Sequence, residues 1–352
     1  EWSDGWGGQE IRIINEMKMI RSEGVEVYLA CRDNSIIKSE AIVNNIKVFT
    51  LPFRGNVDFK TIYELKKIIK KYSIDIVNTH SGKDTWVGGI AAKLSGVKFI
   101  RTRHLSNKIN PSRLNFINEL ADYIFTTGEK VRDDMIEYNR IKANKIISIP
   151  TGIDESIFNP ESFNREECRK KLTINDSEIA IGILAVLRQF KRHDLFLNMA
   201  KSLIQKYPSK RLVFIIAGNG PQKENIEKII NDLNLAENVK MVGHINNVPE
   251  FLCAIDILVL SSDSKEGVPQ SVMQGLFMNK PVVSSDSGST RDLFNHNNFQ
   301  LIQKGSIEAL INGVSIYLDN INEVSTRKYM MENFSSSVMV EKIMTSYEKI
   351  LE

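Results

Sequence analysis

Short apolar segments alternate with amphipathic helical patterns along most of the chain, and this alternation restricts the possible folds more than any other feature. The first set of predicted strands covers Val25–Cys31, Ile46–Leu51, Ile74–Thr79, Phe99–Arg103, Tyr123–Thr127 and Ile146–Ile149. The second set covers Ile179–Val186, Leu212–Ala217, Val239–Val242, Ile257–Leu260 and Pro281–Ser284. Strands separated by helices predict an α/β fold whose parallel sheets are covered by helices on both faces.

The predicted helices lie between and after these strands. They cover Gln9–Ser22, Phe59–Tyr72, Thr85–Leu94, Lys130–Tyr138, His193–Lys206, Gln270–Met278 and Ser336–Leu351. A chain of 352 residues exceeds what one hydrophobic core usually supports, so two doubly wound domains are expected. The segment Pro150–Pro160, with two prolines and a glycine, interrupts the alternation and predicts the connection between them.

We therefore expect an N-terminal domain over 1–157, a second domain over 158–335, and a C-terminal helix in 336–352 that packs back on the first domain. Ligands of such sheets bind at the carboxyl ends of the strands, which predicts a site in a cleft between two facing domains. The turn Gly5–Gly8 opens the first domain with no strand before it. In this architecture a strand of about five or six residues is expected upstream of that turn.

Composition excludes several classes of protein. No apolar run approaches the ~20 residues that cross a bilayer, and no secretory leader is visible, so a cytoplasmic protein is expected. Cys31, Cys168 and Cys253 are far apart, which predicts buried reduced thiols. Residues 1–150 carry 24 Lys/Arg against 18 Asp/Glu, whereas the rest carries 22 against 25. The basic first half is expected to meet an anionic surface or acceptor.

The segment 263–286 carries the most informative motif. A strand ending at Leu260 leads to Glu266, then to the turn Gly267-Val268-Pro269, a helix that carries Gln274, and a further strand. The N–H groups of a first helical turn suit a diphosphate, while Glu266 and Gln274 can hydrogen-bond hydroxyl groups. The motif therefore predicts a binding site for a sugar nucleotide.

Three other turns follow strands of the second domain. Arg188 and Lys191 lie just past its first strand, where they either bind phosphate or form a solvated basic loop. Gly218-Asn219-Gly220 follows the next strand and allows a sharp turn with close approach of a ligand. His244 and Ile245 follow a third strand, where backbone groups could contact a nucleobase.

The first domain offers weaker candidates. Gly7 and Gly8 precede a helix and would let the backbone approach a ligand. His80 and His104 end two predicted strands, where a structural and a functional role are about equally expected. The helix Phe59–Tyr72 carries a lysine face, made of Lys60, Lys66, Lys67, Lys70 and Lys71. This face is either simply solvated or in contact with anionic lipid head groups.

Several other chemistries lack support in the sequence. No Asp-x-Asp pair occurs, so no metal site holding a nucleotide diphosphate is expected, and no cofactor. A Walker-type loop, a Gly-x-Ser-x-Gly elbow and paired metal-binding cysteines are also missing. Basic residues interleaved with aromatics are lacking as well, so no nucleic acid is expected as a partner.

Taken together, these residues resemble the retaining glycosyltransferases of family 4, which have the GT-B fold of two facing Rossmann-like domains. The resemblance covers nearly the whole chain, and GWGGQE, THS and RTRH are similar to members that build bacterial lipopolysaccharide and other surface glycans. It implies that Arg188 and Lys191 bind the donor diphosphate, and that Glu266 binds the transferred sugar with help from Gly267 to Pro269. It also implies that His104 and Gly7-Gly8 approach the donor sugar.

The expected function is transfer of a hexose-type sugar from a UDP- or GDP-sugar to a glycan or lipid-linked acceptor, with peripheral contact at the inner membrane surface. Acceptor candidates are His80, Lys83 and Arg103, together with the loop 106–113. Gln274 replaces the second glutamate of the family pattern, which should weaken the ribose contact by about 1 kcal/mol. The alternatives are a sugar-nucleotide epimerase or phosphorylase on the same architecture, or an inactive nucleotide-sugar-binding module.

Overall fold

A computed structural model describes residues 1–104, 109, 113–263, 266–295, 299–320 and 324–352 of the chain. It divides into two compact units, one formed by Glu1–Gly152 with Ser336–Glu352 and the other by Ile153–Ser335. Both are Rossmann-like, with parallel strands alternating with helices, so the predicted α/β class is confirmed. The first boundary falls inside the predicted connection 150–160.

The first unit contains five α-helices and six strands before its boundary, within the described residues. They are α1 (Gly8–Ser22), β1 (Tyr28–Cys31), α2 (Ile36–Val43), β2 (Lys47–Thr50), α3 (Phe59–Lys71), β3 (Ile76–Thr79), α4 (Gly82–Ser95), β4 (Lys98–Arg103), β5 (Tyr123–Thr126), α5 (Glu129–Glu137) and β6 (Ile146–Ser148). β3 to β6 form one parallel sheet in sequence order, while β1 and β2 pair separately. Helix α2 was not predicted from the sequence.

Local sequence explains where these helices begin and end. The Asp58 side chain accepts a hydrogen bond from Thr61 N and caps α3, whose buried face carries Ile62, Leu65 and Ile69. Ser81 and Asp84 form a capping box at the start of α4. That helix ends at Gly96, whose φ of 73° lies in the left-handed region that favours glycine.

A cavity of about 600 Å³ separates β1 from β3. The chain on either side of it runs through Val25–Ala30 and Ile74–His80, and residues of α1 and α3 close its faces. At one end the α-ammonium group of Glu1 donates a hydrogen bond of 2.7 Å to the carbonyl of Ala30.

The second unit contains a larger sheet. Its elements are α6 (Arg165–Lys171), β7 (Glu178–Leu184), α7 (His193–Lys206), β8 (Arg211–Ala217), α8 (Lys223–Asp232), β9 (Val239–Gly243), α9 (Val248–Ala254), β10 (Ile257–Leu260), α10 (Gln270–Phe277), β11 (Val282–Ser285), β12 (Gln300–Ile302), α11 (Ile307–Asp319) and α12 (Arg327–Phe334). The six parallel strands run in the order β12-β11-β10-β7-β8-β9. The short strand β12 and the helices α6, α11 and α12 were not predicted.

The last helix, α13 (Ser336–Leu351), belongs to the first unit. Its buried Met339, Ile343 and Ile350 pack in one apolar cluster with Ile20 of α1 and Ile100 of β4. Among the helices of the described residues, none combines the length and the apolar character needed to cross a membrane. Cys31, Cys168 and Cys253 are buried free thiols, as predicted.

Candidate active site

The strand order of the second unit defines where a ligand can bind. The chain runs from β7 outward through β8 and β9, then returns to the other side of β7 at β10. Such a reversal leaves a crevice at the carboxyl ends of the two adjacent strands, and open α/β sheets bind ligands there. The loop after β7 carries Arg188 and Lys191, and the loop after β10 carries Glu266. Residues far apart in sequence thus meet at one sheet edge.

The central contact of this edge is an ion pair. Lys191 Nζ lies 2.5 Å from Glu266 Oε1, and both side chains are largely buried, with 15% and 8% of their surface exposed. Ser261, immediately after β10, donates its hydroxyl to the carbonyl of Lys191 at 2.9 Å. A buried charge-assisted hydrogen bond is strong and directional. The predicted Lys191 and Glu266 are therefore brought together and held in place.

Arg188 lies beside this pair but in a different environment. Its side chain is exposed and forms no ion pair with any residue in the part of the chain that the structure describes. The next turn is closed by a hydrogen bond from Lys191 N to the carbonyl of Arg188, and Arg192 then adopts a φ of 52° before α7 begins. Arg192 forms ion pairs with Asp194 and Asp263. Arg188 keeps its guanidinium available to an anion.

Gly288, which was not selected from the sequence, packs closely against the backbone of Glu266. Gly288 has a φ of 59°, and a Cβ atom there would lie 1.9 Å from the carbonyl oxygen of Glu266. Ser289 N also donates to the carbonyl of Gly267 at 3.2 Å. Only glycine fits such an approach in the left-handed region. A glycine just past the carboxyl end of a predicted strand was the signal that could have identified Gly288.

Gly218 and Gly220, in the turn after β8, have a structural role that the sequence alone did not show. Gly218 and Gly220 have φ values of 143° and 157°, and Cβ atoms there would meet the carbonyls of Ala185 and Leu187 at 1.9 and 2.7 Å. The close approach is therefore to the loop after β7. Asn219 takes part in the same packing, because its carbonyl accepts a hydrogen bond of 3.0 Å from Leu187 N. The turn thus shapes the loop that carries Arg188 and Lys191.

The remaining candidate site residues of the second unit differ in how deeply they are buried. Val268 and Pro269 are buried at the start of α10, and Gln274 is half-buried on that helix. His244 is exposed, whereas Ile245 packs against the apolar core of the unit. His193, which sequence reasoning did not select, is buried at the start of α7. Burial, and secondarily the charge of Lys191, lowers its pKa to about 4.

In the first unit the two predicted histidines contact each other. His80 follows β3, His104 follows β4, and His80 Nδ1 lies 3.1 Å from His104 Nε2. Burial is the main cause that lowers the pKa of both imidazoles well below the usual range. The pair is therefore neutral near pH 7.

The other candidate site residues of the first unit lie in different environments. Gly7 precedes α1 with extended backbone, and a Cβ atom there would meet only the Glu10 carboxylate, at an ordinary 3.6 Å. Nothing within the described residues requires glycine at position 7. Lys83 is exposed, and its Nζ lies 3.8 Å from the centroid of the Trp2 ring. Burial lowers the pKa of Arg103 to about 10. Most of the acceptor loop 106–113 lies outside the described residues.

Comparison with known proteins agrees with this architecture. The pattern of "Glycosyltransferase Family 4" matches residues 6–157, and that of "Glycosyl transferases group 1" matches residues 164–335. The UDP-Gal:alpha-D-GlcNAc-diphosphoundecaprenol alpha-1,3-galactosyltransferase of Escherichia coli is 25% identical over 357 residues, covering 95% of this chain and 92% of that protein.

Two solved structures share the fold. A glycosyltransferase from Rickettsia africae ESF-5 has a TM-score of 0.92 at 19% identity, covering 100% of this chain and 97% of that one. Anabaena Alr3699/HepE, solved in complex with UDP and glucose, has a TM-score of 0.84 at 16% identity, covering 99% of this chain and 98% of that one.

The fold and these matches define the protein as a glycosyltransferase with the GT-B fold. The chain belongs to the family 4 glycosyltransferases.

Proposed function

We propose that this enzyme moves a hexose-type sugar, with retention of anomeric configuration, from a UDP-sugar to a lipid-linked glycan acceptor in surface polysaccharide synthesis. The observation that carries the donor part of the proposal is the Lys191–Glu266 pair beside the start of α10, at the reversal point of the sheet. UDP is favoured over GDP because the Escherichia coli relative is named for UDP-Gal and Alr3699/HepE was solved with UDP.

The chemistry follows from where charge develops during transfer. Departure of UDP leaves negative charge on the diphosphate, which Arg188, Lys191 and the start of α10 would stabilise without a metal ion. The sugar acquires positive character at the same time, which the Glu266 carboxylate would stabilise. Gln274 would bind the ribose hydroxyls, and the loop of His244 and Ile245 would bind the base.

The donor sugar is proposed to approach the first unit as well. No contact among the described residues explains the glycine at position 7, and a glycine suits close approach of a ligand to the backbone. His104 would contact the sugar, and Lys83 and Arg103 would face the acceptor. Retention rests on the resemblance to the family, so it requires direct measurement.

Membrane contact is proposed through α3. Its exposed face carries Lys60, Lys67, Lys70 and Lys71, next to Phe59 and Tyr63, whose surfaces are 78% and 59% exposed. Lysines beside exposed aromatics suit an anionic lipid surface. A lipid-linked acceptor, such as the diphosphoundecaprenol lipid in the name of the Escherichia coli relative, would be presented at such a surface.

The decisive experiment measures UDP release with a panel of UDP-hexoses and undecaprenyl-diphosphate-linked sugars, with and without EDTA. We expect turnover with at least one donor, undiminished by EDTA, and a product whose anomeric configuration by NMR matches that of the donor. Epimerised donor without transfer would favour the epimerase alternative. Absence of any turnover together with UDP binding would favour an inactive module.

A separate experiment tests the proposed contact between α3 and anionic lipid. Vesicles with anionic lipid should bind the enzyme more strongly than neutral vesicles. Replacing Lys67, Lys70 and Lys71 together by Gln should remove the difference, whereas Gln at Lys223 and Lys228 of α8 should not. Equal binding to both kinds of vesicle would refute the membrane contact.

A further inference from the structure

The two histidines of the first unit form a contact that links neighbouring strands. β3 and β4 pair in parallel with Thr79 opposite Arg101, so the residues that follow each strand emerge at the same edge of the sheet. There His80 Nδ1 and His104 Nε2 lie 3.1 Å apart, and the ring planes are inclined by 32°. A neutral imidazole has one donor and one acceptor nitrogen, so a single proton lies between these two atoms.

The backbone on both sides of this contact is anchored. Asp84 of α4 accepts a hydrogen bond of 3.2 Å from His80 N and another of 2.8 Å from Ser81 N. On the other strand, Thr127 donates its hydroxyl to the carbonyl of His104 at 3.2 Å. The backbone that carries each imidazole ring is therefore held in place.

Two cations act on the pair. The guanidinium of Arg12, on α1, acts on both rings, and that of Arg103, of β4, acts on His104. Asp84 is the carboxylate of the adjacent helix, and its oxygens accept backbone N–H groups. A further proton, which would make the pair cationic, would be repelled, so both rings stay neutral with one N–H each, and one of those protons lies in the contact between them.

We propose that His80 is a positioning residue that acts through His104. Its Nδ1 engages Nε2 of His104, which leaves Nδ1 as the nitrogen of His104 that faces the donor sugar. This inference rests on the proposed function, in which His104 contacts that sugar. His80 itself need not touch donor or acceptor. The hydrogen bond couples the tautomer of His104 to that of His80 and holds the ring angle of His104 before the donor binds.

The test compares four variants in the UDP-release assay: H80A, H80N, H104A and the double variant H80A/H104A. Misplacement of a reacting contact by about 1 Å can lower a rate about 100-fold, so H80A is expected to lower kcat about 10- to 100-fold. UDP affinity should stay unchanged, because its predicted ligands lie in the other unit. An Asn amide can place either its nitrogen or its oxygen close to the position of Nδ1 and so can donate to or accept from His104, and H80N should therefore recover most of the activity. The double variant should be no slower than H104A alone.

A pH profile separates positioning from a merely structural role. An H80D carboxylate would raise the pKa of His104, so kcat/KM of H80D should fall as the pH drops from 8 to 6, while that of the wild type stays flat. If H104A leaves kcat unchanged, the proposed role of His104 fails. The positioning role fails, and the proposed function stands, if H104A is slow but H80A is as fast as the wild type. The same conclusion follows if H80N does not recover the activity that H80A loses. Thermal unfolding of each variant verifies that it folds.

Discussion

The ammonium group of Lys191 lies 2.5 Å from a carboxylate oxygen of Glu266, so the cation expected to bind the donor diphosphate already has an acidic partner inside the protein. The pair joins the loops after β7 and β10, which are adjacent strands but lie 75 positions apart in the chain. Neither charge is buried alone, which would be strongly unfavourable. A ligand that binds here finds both groups already oriented.

Removing either cation is expected to weaken UDP binding. A charge-assisted hydrogen bond contributes about 1.5–3 kcal/mol, so Arg188→Ala and Lys191→Ala should each raise the Kd for UDP about tenfold or more. Isothermal titration calorimetry measures this. Arg211→Ala is the matched control, because Arg211 lies at the opposite, amino end of β8. Unchanged UDP affinity in the double variant Arg188→Ala/Lys191→Ala would refute the phosphate site.

Glu266→Gln should separate binding from turnover. The amide keeps the shape of the side chain but lacks the charge that stabilises the developing positive sugar, so kcat should fall about 100-fold or more. UDP affinity should be retained, since Lys191 is no longer engaged by a carboxylate. Steady-state kinetics with the best donor tests this, with Asp319→Asn on the surface of α11 as control. Activity that survives in Glu266→Gln would assign the sugar contact to another residue.

Gln274→Glu should strengthen the ribose contact. A charged acceptor improves a hydrogen bond to a hydroxyl by about 1 kcal/mol, which corresponds to about fivefold tighter UDP binding. Titration with UDP and with 2′,3′-dideoxy-UDP isolates the effect, because the second nucleotide lacks both hydroxyls. An equal gain for both nucleotides would show that Gln274 does not contact the ribose.

His193 should make stability depend on pH. Its pKa is about 4 in the folded protein and about 6.5 when unfolded, so the unfolded state binds the extra proton between these values. Stability is therefore complete above pH 6.5 and declines as the pH falls toward 4, by about 2 kcal/mol at pH 5. Urea unfolding at pH 7 and pH 5 should show a smaller difference for His193→Leu. The exposed His244→Leu should keep the difference of the wild type, and equal pH dependence in both variants would contradict the assignment.

The cavity between β1 and β3 should accept a strand. Five β-branched apolar residues added ahead of Glu1 can pair with both strand edges and bury their side chains, which contributes about 1.5–3 kcal/mol each against an ordering cost of about 1–2 kcal/mol per residue. The thermal midpoint should rise by several degrees. A Gly/Ser extension of equal length is the control, and an equal rise with both would contradict insertion.

Periodicity in the sequence was sufficient to predict most elements. The predicted helices His193–Lys206 and Ser336–Leu351 and the strand Ile257–Leu260 match the structure residue for residue. Among the elements that were not predicted, α2 and β12 have weak local patterns. In α2 the run IIKSEAIV is short and rich in β-branched residues, and β12 has only three residues. Local preference decides little in such short segments, so their neighbours decide them.

The sequence by itself determined the α/β class and the residue types at the strand ends, because hydrophobic period and turn chemistry are local properties. Only the tertiary structure decided which of these residues meet. The pairing of Lys191 with Glu266 depends on β10 returning to the side of β7, and that of His80 with His104 depends on the register of β3 and β4. Strand order and register arise from contacts between distant segments, which no local pattern encodes.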